Sequence, residues 1–195
     1  MQTYVALLYS IILGGGRRVV MSDLKAMAES LGLKNVRTLV ATGNLVFEAR
    51  TTKISVLEQR LESAFEETFG RHVDIIVRGA EAWLKLAAGN PFPDESADAG
   101  DQVAVRVMRK SAPADAVEAL QAYAAKDEKV LLVDGDIWVV FSRERPSSRL
   151  LAASNHKRMG VGTSRNWNTV RRLAEMVGSA FPSPPVGEGG REAAG

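Results

Sequence analysis

The sequence predicts an α+β fold in which a βαββαβ unit occurs twice in tandem, each followed by a further helix, with mainly antiparallel sheets. Three observations predict it. Apolar periodicity runs β-α-β-β-α-β-α as far as Ala88, and the same order recurs from Val103. Between the two runs lie Gly89-Asn90-Pro91-Phe92-Pro93 and an acidic stretch with Asp94, Glu95, Asp98 and Asp101. Proline and clustered turn residues argue there against helix or strand. The βαββαβ order is the ferredoxin-like arrangement, an antiparallel sheet with two helices on one face. The expected division is therefore 1–90 as a first ferredoxin-like unit, 91–101 as an acidic, proline-bearing linker, and 102–180 as a second such unit. Residues 181–195, with Pro182-Ser183-Pro184-Pro185 and a Gly/Glu/Ala-rich end, form a tail expected to be disordered. No residue-level repeat accompanies the repeated order.

Each element has its own signal. Thr3–Tyr9 is dense in apolar and aromatic residues, as a strand covered on both faces would be. Ser22 suits an N-cap, and Met21, Leu24, Met27, Ala28 and Leu31 recur at helical spacing before Gly32. Val36–Val40 and Leu45–Phe47 read as strands joined through Thr42-Gly43-Asn44. A second helix places Ile54, Leu57, Leu61, Ala64 and Phe65 on one stripe, with Glu58, Arg60, Glu62, Glu66 and Glu67 largely off it. Gly70 ends that helix, Val73–Val77 is a strand, and Ala80–Ala88 a short helix. In the second half Val103–Met108 is a strand, and Pro113 suits the first turn of a helix through Val117, Leu120 and Ala124. Val130–Val133 and Ile137–Phe141 flank Asp134-Gly135-Asp136, a hairpin signal. Ser148–Met159 reads as helix, Val161–Ser164 as a short strand, and Trp167–Val177 as helix.

Composition narrows the function classes. The chain has 195 residues, of which 46% are apolar and 25% charged, the balance of a soluble globular protein. It has no cysteine, which excludes disulfides, thiolate nucleophiles, iron–sulfur clusters and Cys-based zinc sites. The opening apolar run lacks a basic leader and an Ala-x-Ala site, and falls short of the roughly 20 residues that span a bilayer. A cytoplasmic protein without a membrane partner is expected. The net charge is +2, but Arg143–Arg172 holds eight Lys/Arg against Glu144 alone, a local +7 that leaves −5 elsewhere. Such a segment argues for anionic partners.

Two stretches carry candidate binding chemistry. Gly14-Gly15-Gly16-Arg17-Arg18 stands between strand and helix, where backbone N–H groups and the helix end can meet an anion. It is neither a Walker A loop nor a dinucleotide fingerprint, since Val19 occupies the third glycine position. The plainer reading is a connecting loop with exposed Arg17 and Arg18. Asn155-His156-Lys157-Arg158 and Ser164-Arg165-Asn166-Trp167-Asn168-Thr169 form the densest polar constellation. Arginine binds phosphate bidentately, asparagine hydrogen-bonds it, and tryptophan stacks on a base. The competing reading makes Asn166, Asn168 or Thr169 the cap of the last helix and Trp167 a core residue. His72 and His156 belong to no ligand-spaced motif, so no metal is expected. Glu66/Glu67 and Asp134/Asp136 fit a solvated helix surface and a turn, and no nucleophile–base pattern names a catalytic residue.

The assembled residues resemble the bacterial family catalogued as domain of unknown function 1697. The positions carrying the resemblance are Leu8, Ile11, Gly14, Gly15, Met21, Leu24, Val36-Arg37-Thr38, Gly43-Asn44, Val46-Phe47 and Arg165-Asn166-Trp167-Asn168-Thr169. They run from about Thr3 to Gly178. Departures fall at Tyr9-Ser10 and Ile12, where the family shows Arg-Gly and Asn, and at Ala41-Thr42, in place of Gln-Ser. The resemblance implies a small α/β protein of ferredoxin-like character and supplies no activity.

The leading expectation is binding of a phosphate-bearing ligand, nucleotide or nucleic acid, with neither catalysis nor a cofactor. Its candidate residues are Arg17, Arg18, Asn44, His156, Lys157, Arg158, Arg165, Asn166 and Trp167. A protein-interaction or self-association module, a homodimer joined through sheet edges or faces, is the second expectation. An enzyme is the third, and would need Asn44, His156, Arg165 and Asn166 to converge in a pocket.

Overall fold

The computed structural model describes residues 1–39, 43–142 and 148–178, and of Lys157 the backbone. The tail at 181–195 lies outside the described residues, as do Arg143 and Arg145 of the basic segment and the Val40–Thr42 part of the first hairpin.

The first unit is built on β1 (Gln2–Leu8), whose residues from Thr3 to Leu8 are all buried. A strand exposes alternate side chains to opposite faces, and β1 uses both. Tyr4, Ala6 and Leu8 point to one apolar cluster, Val5 and Leu7 to another. α1 (Met21–Ser30), β2 (Lys34–Leu39), β3 (Asn44–Ala49), α2 (Ile54–Phe69) and β4 (Ile75–Gly79) complete the unit, with strand order β2-β3-β1-β4 and every pair antiparallel. Helices α1 and α2 cover the Tyr4–Ala6–Leu8 face through Leu24, Met27, Leu57, Leu61 and Phe65. α1 starts one residue before Ser22, on Val20 and with no side-chain cap.

After α3 (Ala80–Ala88) the chain forms α4 (Pro93–Ala99) inside the segment expected to hold neither helix nor strand. The reason is local. Pro93 occupies the first helical turn, where its missing N–H costs nothing, and Asp94 and Glu95 sit at the positive helix end. The second unit repeats the first: β5 (Val103–Met108), α5 (Ala116–Gln121), β6 (Lys129–Val133), β7 (Asp136–Val140), α6 (Arg149–Ser154) and β8 (Gly162–Asn166), in the order β6-β7-β5-β8. The β6–β7 turn has positive φ at Asp134 and Gly135, the conformation an Asp-Gly hairpin favours. The helix expected over Ser148–Met159 splits into α6 and a 3₁₀ turn at Lys157–Met159.

The two topologies superimpose to the last detail of chain order. α3 begins at the residue after β4, and α7 (Trp167–Gly178) at the residue after β8. Both trailing helices lie between the sheets. Trp83 of α3 and Val170, Leu173 and Val177 of α7 pack with Val5, Leu7, Val46 and Ile76 of the first sheet and Val103, Val105, Val107, Trp138 and Val140 of the second. The layers are thus α1/α2, first sheet, α3/α7, second sheet, α5/α6. Neither sheet buries its inner face without the other unit. No helix among the described residues is long and apolar enough to cross a membrane.

Because one apolar layer serves both sheets, Trp138→Ala should cost about 3–5 kcal/mol and should destabilise both units together. Urea unfolding followed by far-UV circular dichroism is expected to give a single transition, shifted as a whole in the variant.

Candidate functional site

The polar residues of the two units meet first in the interior. Arg165 projects from β8 toward the end of β1 and is buried. Its Nε donates to Asn44 Oδ1 at 2.5 Å and its Nη2 to Leu8 O at 2.8 Å; Nη1 donates to Thr163 Oγ1 and Ser164 O, each at 2.8 Å. Asn44, fully buried, in turn donates from Nδ2 to Leu39 O at 3.0 Å. Burial lowers the Arg165 pKa to about 10, still far above neutrality, so the buried group remains a cation. Gly43 makes this packing feasible. Its φ is +76°, and a Cβ there would stand 2.6 Å from Ile11 Cγ2 and 2.9 Å from Leu8 Cβ.

That contact also locates the glycine loop. Its root, Leu8 and Ile11, packs on Gly43 next to the Asn44–Arg165 pair. Its tip lies in the open: Gly14–Gly16 form a short 3₁₀ turn with nothing near their Cβ positions, and Arg17 and Arg18 are exposed. Leu13 N donates to Arg17 O and Val19 N to Ile11 O, closing the loop on itself. Asn166 Oδ1 accepts from Thr169 N at 3.0 Å and so caps α7, while Trp167 packs against Trp138 with ring centroids 6.2 Å apart. Sequence reasoning grouped Asn44, Arg165, Asn166 and Trp167 with His156 and Arg158. The structure brings Asn44 to Arg165, and places His156 and Arg158 on a separate surface, between the outer helices of the second unit.

A second polar cluster between the units escaped the sequence analysis. Arg109, just after β5, pairs with Glu62 and lies 3.6 Å from Glu58 and 3.5 Å from Asp74; Arg78 of β4 bonds Met108 O and lies 3.4 Å from Asp136. Glu58, read as off the apolar stripe of its helix, is buried and accepts from Val77 N at 3.0 Å. Asp136, read as a solvated turn residue, is buried and accepts from Met108 N at 2.7 Å. Burial pushes both carboxyls above their ordinary pKa. The available signal was the i, i+4 spacing of Glu58 and Glu62 beside Leu57 and Leu61, together with arginines at two strand ends. His72 also stands beside a carboxylate, its Nδ1 3.5 Å from Glu66. No group of three or more His, Cys, Asp or Glu among the described residues is arranged to hold a metal.

Two of the cavities lie on the second unit. One of about 460 Å³ opens between α5 and α6, walled by Leu120, Met159 and alanines and rimmed by Tyr123, Arg149, His156 and Arg158. The Arg149 guanidinium sits 5.7 Å from the Tyr123 ring centre. Arg158 pairs with Asp115 at 2.9 Å, exposed on both sides. His156 Nδ1 accepts from Arg158 N, which folds the turn. Beneath it, buried Arg106 donates to Asn155 Oδ1 at 3.0 Å and Gly160 O at 3.1 Å, holding both ends of the segment that carries His156, Lys157 and Arg158. Across Tyr123 and Arg149 a wider groove of about 900 Å³ is walled by Glu95, Asp98, Asp127 and Glu128, and its charge repels anions.

Two outcomes test the interior assignments. Asn44→Ala removes an acceptor from a buried cation and should lower stability by about 2–3 kcal/mol in urea melts. For Asp136 the raised pKa means that the folded state holds more protons than the unfolded one above the ordinary aspartate value of about 4. Stability contributed by this group is therefore lost as pH rises through the raised pKa. Asp136→Asn lacks that loss, so its stability relative to wild type should improve from pH 4 to pH 7, read from urea midpoints.

Comparison with known proteins gives a family and a fold. No curated protein matches the chain. A solved structure, "The structure of conserved bacterial protein SP0830 from Streptococcus pneumoniae", is similar at a TM-score of 0.69 and 23% identity, covering 90% of this chain and 98% of that one. At that identity the likeness speaks for the fold alone. A family model described as "Protein of unknown function (DUF1697)" matches residues 1–138, so that Arg165–Thr169 lies beyond the matched part. By that match, which takes in the first unit and the second as far as Trp138, the chain belongs to this family of proteins of unknown function.

Proposed function

We propose that this protein binds, without catalysis, a small phosphate-bearing ligand with an aromatic or apolar body, of the nucleotide class, in the cavity between α5 and α6. The supporting observation is the combination in one cavity of about 460 Å³ of an apolar wall with Arg149, His156 and Arg158 on its rim. Ligand sites are typically of this size and character, largely apolar with a few placed polar groups. Leu120, Met159 and the Tyr123 ring supply the surface for the body of the ligand. Arg149 and Arg158 supply forked donors for phosphate, and His156 a further polar group. The Arg158–Asp115 pair does not block this role, because exposed ion pairs contribute little and exchange readily. The acid-walled groove on the far side of Tyr123 favours the smaller cavity for an anion.

Lys157 adjoins the rim in sequence and belongs to the same proposed site. Arg17 and Arg18 are a separate exposed pair, suited to a longer anion if one reaches both. A nucleic-acid ligand finds less support than a mononucleotide, since Trp167 is engaged with Trp138 and Asn166 with the start of α7.

Titration calorimetry at low salt with adenosine monophosphate and triphosphate, against adenosine and inorganic phosphate alone, tests the reading. Nucleotide should bind more tightly than either component. Arg149→Ala and Arg158→Ala should each weaken it about tenfold or more, the loss of a charge-assisted contact of about 1.5–3 kcal/mol. Short RNA binding far more tightly than mononucleotide would redirect the proposal to nucleic acid. No binding of any nucleotide at millimolar concentration would end it.

A further inference from the structure

Each of the two sheets leaves two edge strands, and an edge exposes unpaired backbone groups to any other chain. Three of the four edges are guarded. Along β4, Glu62 and Glu58 of α2 accept from Ile75 N and Val77 N, so side chains of the same unit occupy the outer donors. Along β2, Lys34 and Arg37 are exposed charges, Asn35 takes a positive φ, and the register with β3 shifts between Lys34 and Arg37. Charge and a bulge are two common ways of blocking strand addition. Along β8, Thr163 and Arg165 are buried and bond Leu8 O of the first unit, and the Arg165 side chain also bonds Ser164 O.

β6 has neither a bulge nor, among the described residues, side chains on its outer donors, and carries a single charge. Its sequence is Lys129-Val130-Leu131-Leu132-Val133, with Leu131 43% and Leu132 37% exposed. Its one charge, Lys129, is drawn to Glu95 of α4. Among the described residues its backbone pairs only with β7, on one side.

We infer that β6 is an assembly edge at which a second copy of this chain pairs antiparallel, joining two second-unit sheets into one of eight strands. A two-fold axis normal to the sheet sets one residue opposite itself. With Leu131 on the axis, Val130 faces Leu132 of the second copy and Lys129 faces its Val133. Every opposed pair is then apolar with apolar or lysine with valine, and no like charges meet within the strand. An unrelated peptide finds no such matched register. The contact is isologous, so it closes at two copies, and the three guarded edges stop further growth. This inference stands apart from the cavity, which lies in the α5/α6 layer.

Sedimentation velocity of the full chain tests it, from about 1 to about 200 µM, the range in which an edge contact of moderate affinity declares itself. The wild type should shift from monomer to dimer with concentration. Leu131→Lys opposes two lysines across the axis and should weaken the dimer at least about tenfold, with circular dichroism unchanged, and melting temperature unchanged at concentrations where both chains are monomeric. A covalent readout is also open, since the chain has no cysteine. Leu131→Cys should oxidise to a disulfide-linked dimer, whereas Val56→Cys, exposed on α2, should not. A wild type that stays monomeric throughout would overturn the inference. So would a dimer indifferent to Leu131→Lys, or equal crosslinking by the two cysteine variants.

Discussion

A buried guanidinium decides how the two halves of this molecule meet. Taking a cation out of water costs several kcal/mol even after relaxation, and only well-placed acceptors offset it. Arg165 leaves β8 of the second unit and finds Leu8 O and Asn44 Oδ1 in the first. Those acceptors exist in one place alone, where β1 ends beside the turn that opens β3. Sliding the second sheet by a residue along β1 would strand the charge. The apolar layer of α3, α7 and the two inner sheet faces supplies most of the cohesion but little register, because packing of valine and leucine tolerates small shifts. The arginine supplies the register.

The second polar cluster works on the same principle with opposite bookkeeping. Arg78 and Arg109 stand among Glu58, Glu62, Asp74 and Asp136, and here Glu58, Glu62 and Asp136 are the groups held largely out of water. Each of these three also caps a backbone donor: Glu58 that of Val77, Glu62 that of Ile75, Asp136 that of Met108. One set of carboxylates thus closes the free edge of β4 and fixes β5 against it. Closing an edge and joining two units are the same physical act at this spot.

Much of the fold was legible because it is carried by local signals. The β-α-β-β-α-β-α order shows twice in apolar periodicity, and Asp134-Gly135 announces its hairpin. What stayed hidden depends on partners distant in sequence. The spacing of Glu58 and Glu62 marks them as a pair, but not that a strand donor nineteen residues from Glu58 will need its carboxylate. The +7 segment divides along a related line. Counting charge treats all arginines alike, yet Arg165 is held in the interior and Arg171 pairs with Glu175, while Arg158 stands exposed beside Asp115. Asn166 and Trp167, which sequence left between ligand contact and structure, are engaged as a helix cap and a half-buried ring packed on the shared layer. α4 was missed through local signals, because proline was read as a breaker where it serves as a first-turn residue.

A second buried arginine, Arg106, holds the rim of the α5/α6 cavity. It lies on the opposite face of its sheet from the shared layer, and desolvation lowers its pKa. Its bonds to Asn155 and Gly160 fix both ends of the turn bearing His156 and Arg158. A long flexible cation on the surface loses side-chain entropy when it grips a ligand. A turn held at both ends has lost its backbone share of that entropy on folding. Arg106 therefore leaves the rim of the α5/α6 cavity with its backbone already ordered.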